Sequence, residues 1–175
     1  KKKKNTTTLE YNGSSWTSGG ALNSGGNFMY GSASGTQTAG LRSGAGTAAS
    51  TTVEEYNGSS WTSANAMSVA RVNSFVDGAQ TATIITAGEA PSAPDAISSV
   101  TRLTEEYDGT NWSSGTSSIF FLSSGGVSGG AAAPTAFMIT GGDGPKVTNN
   151  TGATQEYDGT AFTNTANLGS PRRQL

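Results

Sequence analysis

Residues 10–18 read EYNGSSWTS, and residues 55–63 repeat the same nine letters without a change. Two later stretches vary the phrase: residues 106–114 read EYDGTNWSS, and residues 156–164 read EYDGTAFTN. The tyrosines of the four copies follow one another at steps of 45, 51 and 50 residues. Because self-similarity at a fixed period is typical of repeat architectures, the sequence predicts an array of similar structural units.

Each copy of the phrase has the pattern of a β-hairpin. Polar and apolar residues alternate before the tyrosine, and Asn-Gly or Asp-Gly follows it. That dipeptide between two β-forming stretches is the strongest short-range hairpin signal. The second strand of the hairpin carries another aromatic residue. The repeat therefore predicts four structural pairs: Tyr11 with Trp16, Tyr56 with Trp61, Tyr107 with Trp112, and Tyr157 with Phe162.

A further hairpin is predicted ahead of each phrase. Its second strand is clearest in residues 132–142, which read AAPTAFMITGG and end in Gly141 and Gly142. Residues 80–88 carry the same element, and residues 36–46 carry a weaker copy. The first strands are expected at residues 27–30, 72–76 and 119–122. Four short strands per period, with no sustained 3.6-residue apolar period, predict an all-β chain.

The order of these features resembles the kelch repeat. The matching features are an apolar strand ending in Gly141-Gly142, then Tyr-Asp or Tyr-Asn, then a tryptophan. The double glycine is complete only in the last repeat. The resemblance implies a kelch-like β-propeller, whose blades are four-stranded antiparallel sheets, in about 3.5 repeats. A flat β-solenoid or a stacked-sheet array is the alternative.

The phrase EYNGSSWT also resembles Gly/Ser/Thr-rich kelch-like repeats in structural proteins of tailed bacteriophages, especially those of marine bacteria. Gly, Ala, Ser and Thr together make up just over half of this chain. The resemblance implies a virion component, such as a fibre, tail or capsid-decoration protein. It also implies a protein that neither catalyses a reaction nor binds a cofactor.

The repeat divides the chain into partial and complete blades. We expect a basic, disordered or artificial N-terminal end (1–5), a half blade (6–18), three blades (19–63, 64–114 and 115–165) and the start of a further first strand (166–175). A propeller ring needs roughly 4–8 blades. The chain is therefore expected to belong to a longer protein, to share a ring with other chains, or to stack into an open array.

Composition excludes several classes of function. The chain has no His and no Cys, which excludes the Ser-His-Asp triad, the Cys-His pair and the usual zinc sites. Its formal net charge is −2, and Lys1–Lys4 supply four of its ten positive charges. Nucleic acid is therefore not an expected partner. No apolar run is long enough for a transmembrane helix, so no membrane insertion is expected.

Carboxylates are the remaining candidates for chemistry. Glu54-Glu55 and Glu105-Glu106 are adjacent pairs, and Glu10 and Glu156 occupy equivalent positions. Neighbouring residues of a strand point to opposite faces, whereas a glycosidase needs two carboxyl groups facing each other across the substrate. Repetition in every unit predicts a structural role. No aspartate spacing resembles a calcium loop, so no metal site is predicted.

The sequence thus predicts a non-catalytic structural or interaction protein of a virion or an extracellular assembly, with other chains of that assembly as partners. A rigid scaffold would display variable loops at residues 88–99, 123–133 and 143–153. The residues proposed for a ligand loop are Asp143, Lys146, Asn149 and Trp112. The alternatives are a carbohydrate-binding module that contacts a cell-surface glycan, and a self-assembling extracellular filament subunit.

Overall fold

The computed structural model describes residues 5–25, 32–44, 48–123, 127–130, 135–144 and 151–172. Within these ranges the chain forms fourteen β-strands in four antiparallel sheets and contains no helix. The prediction of an all-β chain is confirmed. Consequently, no described segment is a helix that could cross a membrane.

Every sheet is a meander in which strands adjacent in sequence pair with each other. The first sheet contains only β1 (Leu9–Tyr11) and β2 (Trp16–Ser18). The second sheet contains β3 (Ser32–Thr36), β4 (Ala39–Ser43), β5 (Val53–Tyr56) and β6 (Trp61–Ser63). The third contains β7 (Phe75–Ala79), β8 (Ala82–Thr86), β9 (Thr104–Tyr107) and β10 (Trp112–Gly115). The fourth contains β11 (Val127–Gly130), β12 (Phe137–Thr140), β13 (Thr154–Tyr157) and β14 (Phe162–Asn164).

The hairpin at each repeated phrase closes as its sequence predicts. The turn glycines Gly13, Gly58, Gly109 and Gly159 all have φ between 87° and 96°, a conformation that L-residues with a side chain rarely adopt. The residue before each glycine accepts backbone hydrogen bonds across the turn. Asp108 Oδ1, for example, accepts from the backbone N–H of Thr110 at 2.8 Å and of Asn111 at 2.7 Å. The Asn-Gly and Asp-Gly signals therefore mark genuine turns.

The predictions for the first strands are wrong where the structure tests them. In the third sheet, Ala79 pairs with Ala82, so a two-residue turn fixes β7 directly ahead of β8, at Phe75–Ala79 rather than 72–76. In the fourth sheet, residues 119–122 lie outside any strand, and Leu122 packs into the core from a loop. The apolar run there reflects burial and not strand pairing. The expected strand at 27–30 lies outside the described residues.

The sheets follow one another in chain order and bury their cores between them. Leu41, Val53, Met67, Ile85 and Tyr107 form the core cluster between the second and third sheets. The cluster between the third and fourth sheets includes Phe75, Ile84, Phe137, Ile139, Tyr157 and Phe162. Strand β7 neighbours β3 on one side and β11 on the other, so the first strands of successive four-stranded sheets lie next to each other.

The register makes the sheets directly comparable. Leu41, Ile84 and Met138 occupy equivalent positions, because they pair with Glu55, Glu106 and Glu156 in that order. Since side chains alternate between the two faces of a strand, each of these glutamates points away from the face that its neighbouring tyrosine occupies. Each sheet therefore has a tyrosine face and a glutamate face.

Candidate functional site: the repeated sheet junction

The sheet junction, meaning the contact between the glutamate face of one sheet and the tyrosine face of the next, is built around one hydrogen bond. Tyr107 Oη donates to Glu55 Oε1 at 2.8 Å. Tyr157 Oη donates to Glu106 Oε1 at 2.5 Å, and Tyr56 donates to Glu10 in the same way. The repeated carboxylates thus have a structural role, as their recurrence predicts. Their partner, a tyrosine about one period later, was not identifiable from sequence alone.

The junction keeps its tyrosines neutral. Burial, followed by the hydrogen bond to Glu55, raises the pKa of Tyr107 above its ordinary value. Burial and the bond to Glu106 raise the pKa of Tyr157 in the same way. For Tyr56 the largest cause is the hydrogen bond to Glu10, which also raises its pKa. A phenol that donates to a carboxylate loses this bond when it ionises, so the junction resists deprotonation.

An aromatic pair lies beside each of these hydrogen bonds. The rings of Tyr56 and Trp61 are 4.9 Å apart between centroids, and Tyr107 and Trp112 have the same separation. The other predicted pairs are similar: Tyr11 with Trp16 at 5.1 Å, and Tyr157 with Phe162 at 4.7 Å. The structure therefore brings together both members of each repeated pair. These tilted contacts fall within the range in which aromatic rings attract each other.

The neighbouring acidic position has a different role, because it holds the loop that arrives from the preceding sheet. Glu54 accepts from the backbone N–H of Asn23 at 2.9 Å and of Ser24 at 2.8 Å. Glu105 likewise accepts from the N–H of Ser68 at 2.6 Å. In the fourth sheet Gln155 takes this position and accepts from Ile119 N–H at 2.6 Å.

Two of these buried carboxylates also pair with buried arginines. Arg71 Nη2 lies 2.7 Å from Glu105 Oε2, and Arg42 Nη1 lies 3.3 Å from Glu54 Oε1. Burial lowers the pKa of the Arg71 guanidinium, and the opposite charge of Glu105 counteracts that effect. Arg71 Nη1 donates further to the backbone oxygens of Ala87 and Leu103. These arginines anchor the interior of the sheets, and their sequence context alone does not distinguish them from rim residues.

The predicted double glycine lies at the end of β12. Gly141 and Gly142 both have positive φ, and the N–H of Gly142 donates to the backbone oxygen of Arg172. This contact ties the chain after β14 back to the fourth sheet. A Cβ at Gly141 would come within 3.0 Å of that same oxygen of Arg172. The glycines therefore permit close approach of two backbone segments.

The proposed ligand-loop residues are not a single described site. Asp143 is buried, and its backbone pairs with that of Ser123. Trp112 belongs to the third sheet, where its indole N–H donates to the backbone oxygen of Asn65 at 3.0 Å. Lys146 and Asn149 lie outside the described residues. Asp143, in an isolated bridge after β12, and Trp112, in β10, are thus in different parts of the fold, and each makes contacts within the protein.

The predicted display loops are described to different extents. Residues 88–99 connect β8 to β9, and Pro91, Ser92 and Ile97 are exposed there. Asp95 orders this loop, since its carboxylate accepts from the Thr101 hydroxyl and the Arg102 N–H. The stretch 123–133 is not wholly a loop, because residues 127–130 form β11. Only the ends of 143–153 lie within the described residues.

The chemistry that this arrangement supports is adhesion between sheets. Among the described residues, no three side chains of the His, Cys, Asp and Glu types come together in a group that could hold a metal ion. At the junctions, a carboxylate oxygen of Glu10, Glu55 or Glu106 accepts the hydrogen bond from a tyrosine hydroxyl. These glutamates, and the neighbouring Glu54 and Glu105, therefore connect segments of the chain to one another.

No family model matches the sequence, and no curated protein matches it either. Among solved structures, the chain is similar to a structure of YjhT, with a TM-score of 0.72 and 13% sequence identity. The similarity covers 95% of this chain and 60% of that chain, so this chain spans less than two thirds of the YjhT structure. At this identity the comparison shows a shared fold alone.

Proposed function

We propose that this chain is a non-catalytic structural protein of a tailed-phage virion, a fibre, tail or capsid-surface component that displays loops on a kelch-like propeller scaffold. The observation that carries the proposal is the recurrence of one junction three times: a tyrosine of each four-stranded sheet bonds to a glutamate of the sheet before it. The repeated polar groups of the chain are used to hold the scaffold together.

The arrangement of the sheets supports the propeller part of the proposal. Each complete sheet is a four-stranded meander, which is the form of a propeller blade. The first strands β3, β7 and β11 are neighbours in succession, as expected of blades whose first strands surround a common axis. The many small residues allow the backbones of neighbouring sheets to approach each other closely. A Cβ at Gly20, for instance, would come within 2.2 Å of the backbone oxygen of Ser59 in the next sheet.

The use of its polar groups supports a non-catalytic role. The sequence has no His or Cys to act as a base or nucleophile. The adjacent pairs Glu54-Glu55 and Glu105-Glu106 do not form a facing pair, because one member binds a loop and the other accepts from a tyrosine. In this proposal the carboxylates serve assembly and the loops serve recognition.

Carbohydrate binding through an exposed aromatic side chain has less support than a structural role. Its main candidate, Trp112, packs on Tyr107 and donates its indole N–H to Asn65. An aromatic side chain that stacks on a sugar needs an open face. Trp112 is half-buried. Its counterpart Trp61 also donates its indole N–H across a junction, to the Thr8 hydroxyl at 2.9 Å. The repeated tryptophan position therefore serves contacts between sheets.

The test of this function is to purify virions from a culture that produces the chain and to label them with antibodies raised against the 175-residue protein. We expect labelling on fibres, tails or capsid surfaces, and peptides of the chain in the digested particles. Antibodies absorbed beforehand with the purified chain serve as the control. A chain that occurs in the lysate but never on washed particles would contradict the proposal.

A further inference from the structure

Two of the four repeated turns contain a pair of residues that can react with each other. The sequence has Asn-Gly at 12–13 and 57–58, and Asp-Gly at the equivalent positions 108–109 and 158–159. The side-chain amide of an asparagine can react with the backbone nitrogen of the next residue, and glycine has no side chain to obstruct the approach. The product of this reaction is the residue that already occupies the other two turns.

Asn57 is accessible although its sheet is covered on both faces. The second sheet meets the first through Tyr56 and the third through Glu55. Asn57 is nevertheless exposed, because its turn lies at the edge where β5 and β6 end their pairing. Water and hydroxide can therefore reach this turn in the assembled array of sheets.

The side-chain carbonyl of Asn57 is surrounded by hydrogen-bond donors. Asn57 Oδ1 accepts from the backbone N–H of Ser59 at 3.0 Å and of Ser60 at 2.9 Å. It also accepts from the Ser59 hydroxyl at 2.9 Å. A nucleophile that attacks Cγ places negative charge on Oδ1, and donors that already point at this oxygen stabilise the charge. The turn is therefore arranged to assist attack at Cγ.

The nucleophile is the backbone nitrogen of Gly58. Its N–H donates to no acceptor among the described residues. The hydrogen bond from the Ser59 N–H to Asn57 Oδ1 closes a ring of atoms that includes this nitrogen, so it folds the amide back towards the backbone. The side chain of Asn12 is held in the same way, since its Oδ1 accepts from the Ser14 N–H at 3.0 Å.

We propose that Asn12 and Asn57 are sites of spontaneous deamidation, and that the folded turn promotes the reaction. The backbone nitrogen of the glycine attacks Cγ, so that an N–Cγ bond forms and the Cγ–Nδ2 bond breaks. Ammonia leaves with the proton of the glycine N–H, and a cyclic imide remains. Water then opens the imide. Opening at Cγ gives aspartate, and opening at the main-chain carbonyl gives isoaspartate. This inference does not rest on the proposed function.

The aspartate product fits the turn. Asp108 Oδ1 accepts from the N–H groups of Thr110 and Asn111, which are the counterparts of the two donors to Asn57. In the turn at Asp158, hydrogen bonds of the same kind lower the pKa of the carboxyl group to about 2. The turn thus accommodates an ionised aspartate, and each conversion adds one negative charge to a chain that is already acidic.

The isoaspartate product does not fit the turn at Asn57. In this product the main chain passes through the former side-chain carbonyl and is one methylene longer. The oxygen that accepted from Ser59 then belongs to the main chain, so the hydrogen bonds of the turn are lost. The turn also packs closely on the segment after β2, because a Cβ at Gly20 would lie 2.2 Å from the backbone oxygen of Ser59. We expect the isoaspartate form to be less stable than the aspartate form.

The first experiment incubates the folded chain in mildly alkaline buffer, below its unfolding temperature, and maps its peptides by mass spectrometry. We expect Asn12 and Asn57 to convert to aspartate and isoaspartate. Asn65 is the internal control, since it is exposed but precedes Ala66, and its Nδ2 donates to the backbone oxygen of Thr110 at 2.8 Å. Asn65 should stay unchanged over the same time.

A free peptide separates the effect of the fold from that of the dipeptide alone. The peptide EYNGSSWTS, residues 55–63, contains the reacting pair without the fixed turn. If the turn promotes the reaction, Asn57 in the folded chain reacts at least as fast as the asparagine of the peptide. An asparagine that converts in the peptide and stays intact in the folded chain would overturn the proposal.

The second experiment transfers the reactive pair to another sheet. Asp108→Asn creates a third Asn-Gly turn, and we expect the variant to return to the wild-type mass during incubation at a rate similar to that of Asn57. Asn57→Gln is the matched control, because its carbonyl lies one methylene further from the backbone nitrogen, and position 57 should then stay unmodified. Circular dichroism checks that both variants retain the β-structure. An Asp108→Asn chain that keeps its mass while Asn57 converts would contradict a role of the shared turn geometry.

The third experiment compares the products. Anion exchange separates the aspartate and isoaspartate forms at position 57, and thermal unfolding measures each form. The aspartate form and the Asn57→Asp variant should unfold at the temperature of the unmodified chain, and the isoaspartate form at a lower temperature. Equal unfolding temperatures of the two products would refute the explanation from the packing of the turn.

Discussion

Tyr107 donates its hydroxyl hydrogen bond to Glu55 across 52 residues of sequence, and this contact is one of those that join the second sheet to the third. Replacing Tyr107 by Phe removes the donor and leaves the ring in its cluster. A hydrogen bond to a charged group contributes about 1.5–3 kcal/mol, so we expect Tyr107→Phe to lower the free energy of unfolding by about that amount. Urea unfolding followed by fluorescence measures it.

A double-mutant cycle with Glu55→Ala, which removes the acceptor, isolates this contact. Because both substitutions act on one hydrogen bond, the double variant should lose less stability than the sum of the single variants. Strict additivity would mean that the two side chains do not interact in solution.

The raised pKa of Tyr107 and Tyr157 predicts an alkaline limit to stability. A phenol whose pKa is higher in the folded state stabilises the fold fully below its unfolded value near 10. That contribution is lost as pH rises from about 10 towards the folded value. We expect the midpoint temperature of thermal unfolding to decrease over this pH range. In the Tyr157→Phe variant this decrease should be smaller. A pH profile above 10 that is identical in the variant would contradict the assignment.

Removing Arg71 alone is expected to destabilise the protein more than replacing both Arg71 and Glu105 with uncharged residues. Arg71→Met leaves Glu105 charged and buried without its partner, which should cost about 3–5 kcal/mol. In the double variant Arg71→Met, Glu105→Gln, part of the loss should return, since Gln155 holds the equivalent loop in the fourth sheet with no arginine contact among the described residues. Thermal unfolding compares the two. A double variant less stable than Arg71→Met would exclude this explanation.

The turn at Asp158 is expected to contribute less to stability at acidic pH. Hydrogen bonds from the Thr160 hydroxyl and from the N–H groups of Ala161 and Thr160 lower the pKa of Asp158 to about 2. Its stabilising effect is therefore present above the ordinary value near 4 and is lost as pH falls towards 2. Asp158→Asn should retain the neutral-pH midpoint, because Asn57 forms the same turn. Asp158→Ala should lower the midpoint temperature of thermal unfolding, because alanine cannot accept the hydrogen bonds of the turn. Equal midpoint temperatures for Asp158→Asn and Asp158→Ala would show that these hydrogen bonds do not contribute to stability.

Glycine is required at Gly78, within β7. Its φ is +119°, and a Cβ there would lie 2.1 Å from the backbone oxygen of Ala82. Gly78→Ala should lower the free energy of unfolding by about 1–3 kcal/mol, through strain and the displaced hairpin. The control is Gly129→Ala in β11, where a Cβ meets no atom within 4 Å. Equal stability of the two variants would contradict this explanation.

How far the sequence predicts this molecule depends on the strength of the local signal. Asn57-Gly58 and Asp108-Gly109 predict their turns correctly, because a positive φ at glycine is a local requirement. The first strands are predicted poorly. The run at 119–122 is apolar because Leu122 enters the core, while β11 reads VSGG and has only one strand-favouring residue, Val127. A short apolar run looks the same in the sequence whether the segment is a paired strand or a buried loop.

The junction illustrates the same limit at the level of the site. The recurrence of Glu10, Glu55 and Glu106 predicts a structural role for this position. Which side chain meets them follows only from the register that places glutamate and tyrosine on opposite faces of one strand. Similarly, nothing local in the sequence separates buried Arg71 from an exposed arginine, because its partner lies 34 residues away.

A recurring junction also makes the chain tolerant of changes in the gene. A segment of one full period that is duplicated or lost leaves a tyrosine beside a glutamate on both sides of the new boundary. The array can therefore lengthen or shorten by whole units between generations without any new contact having to evolve, and each unit's loops can diverge while its edges stay compatible.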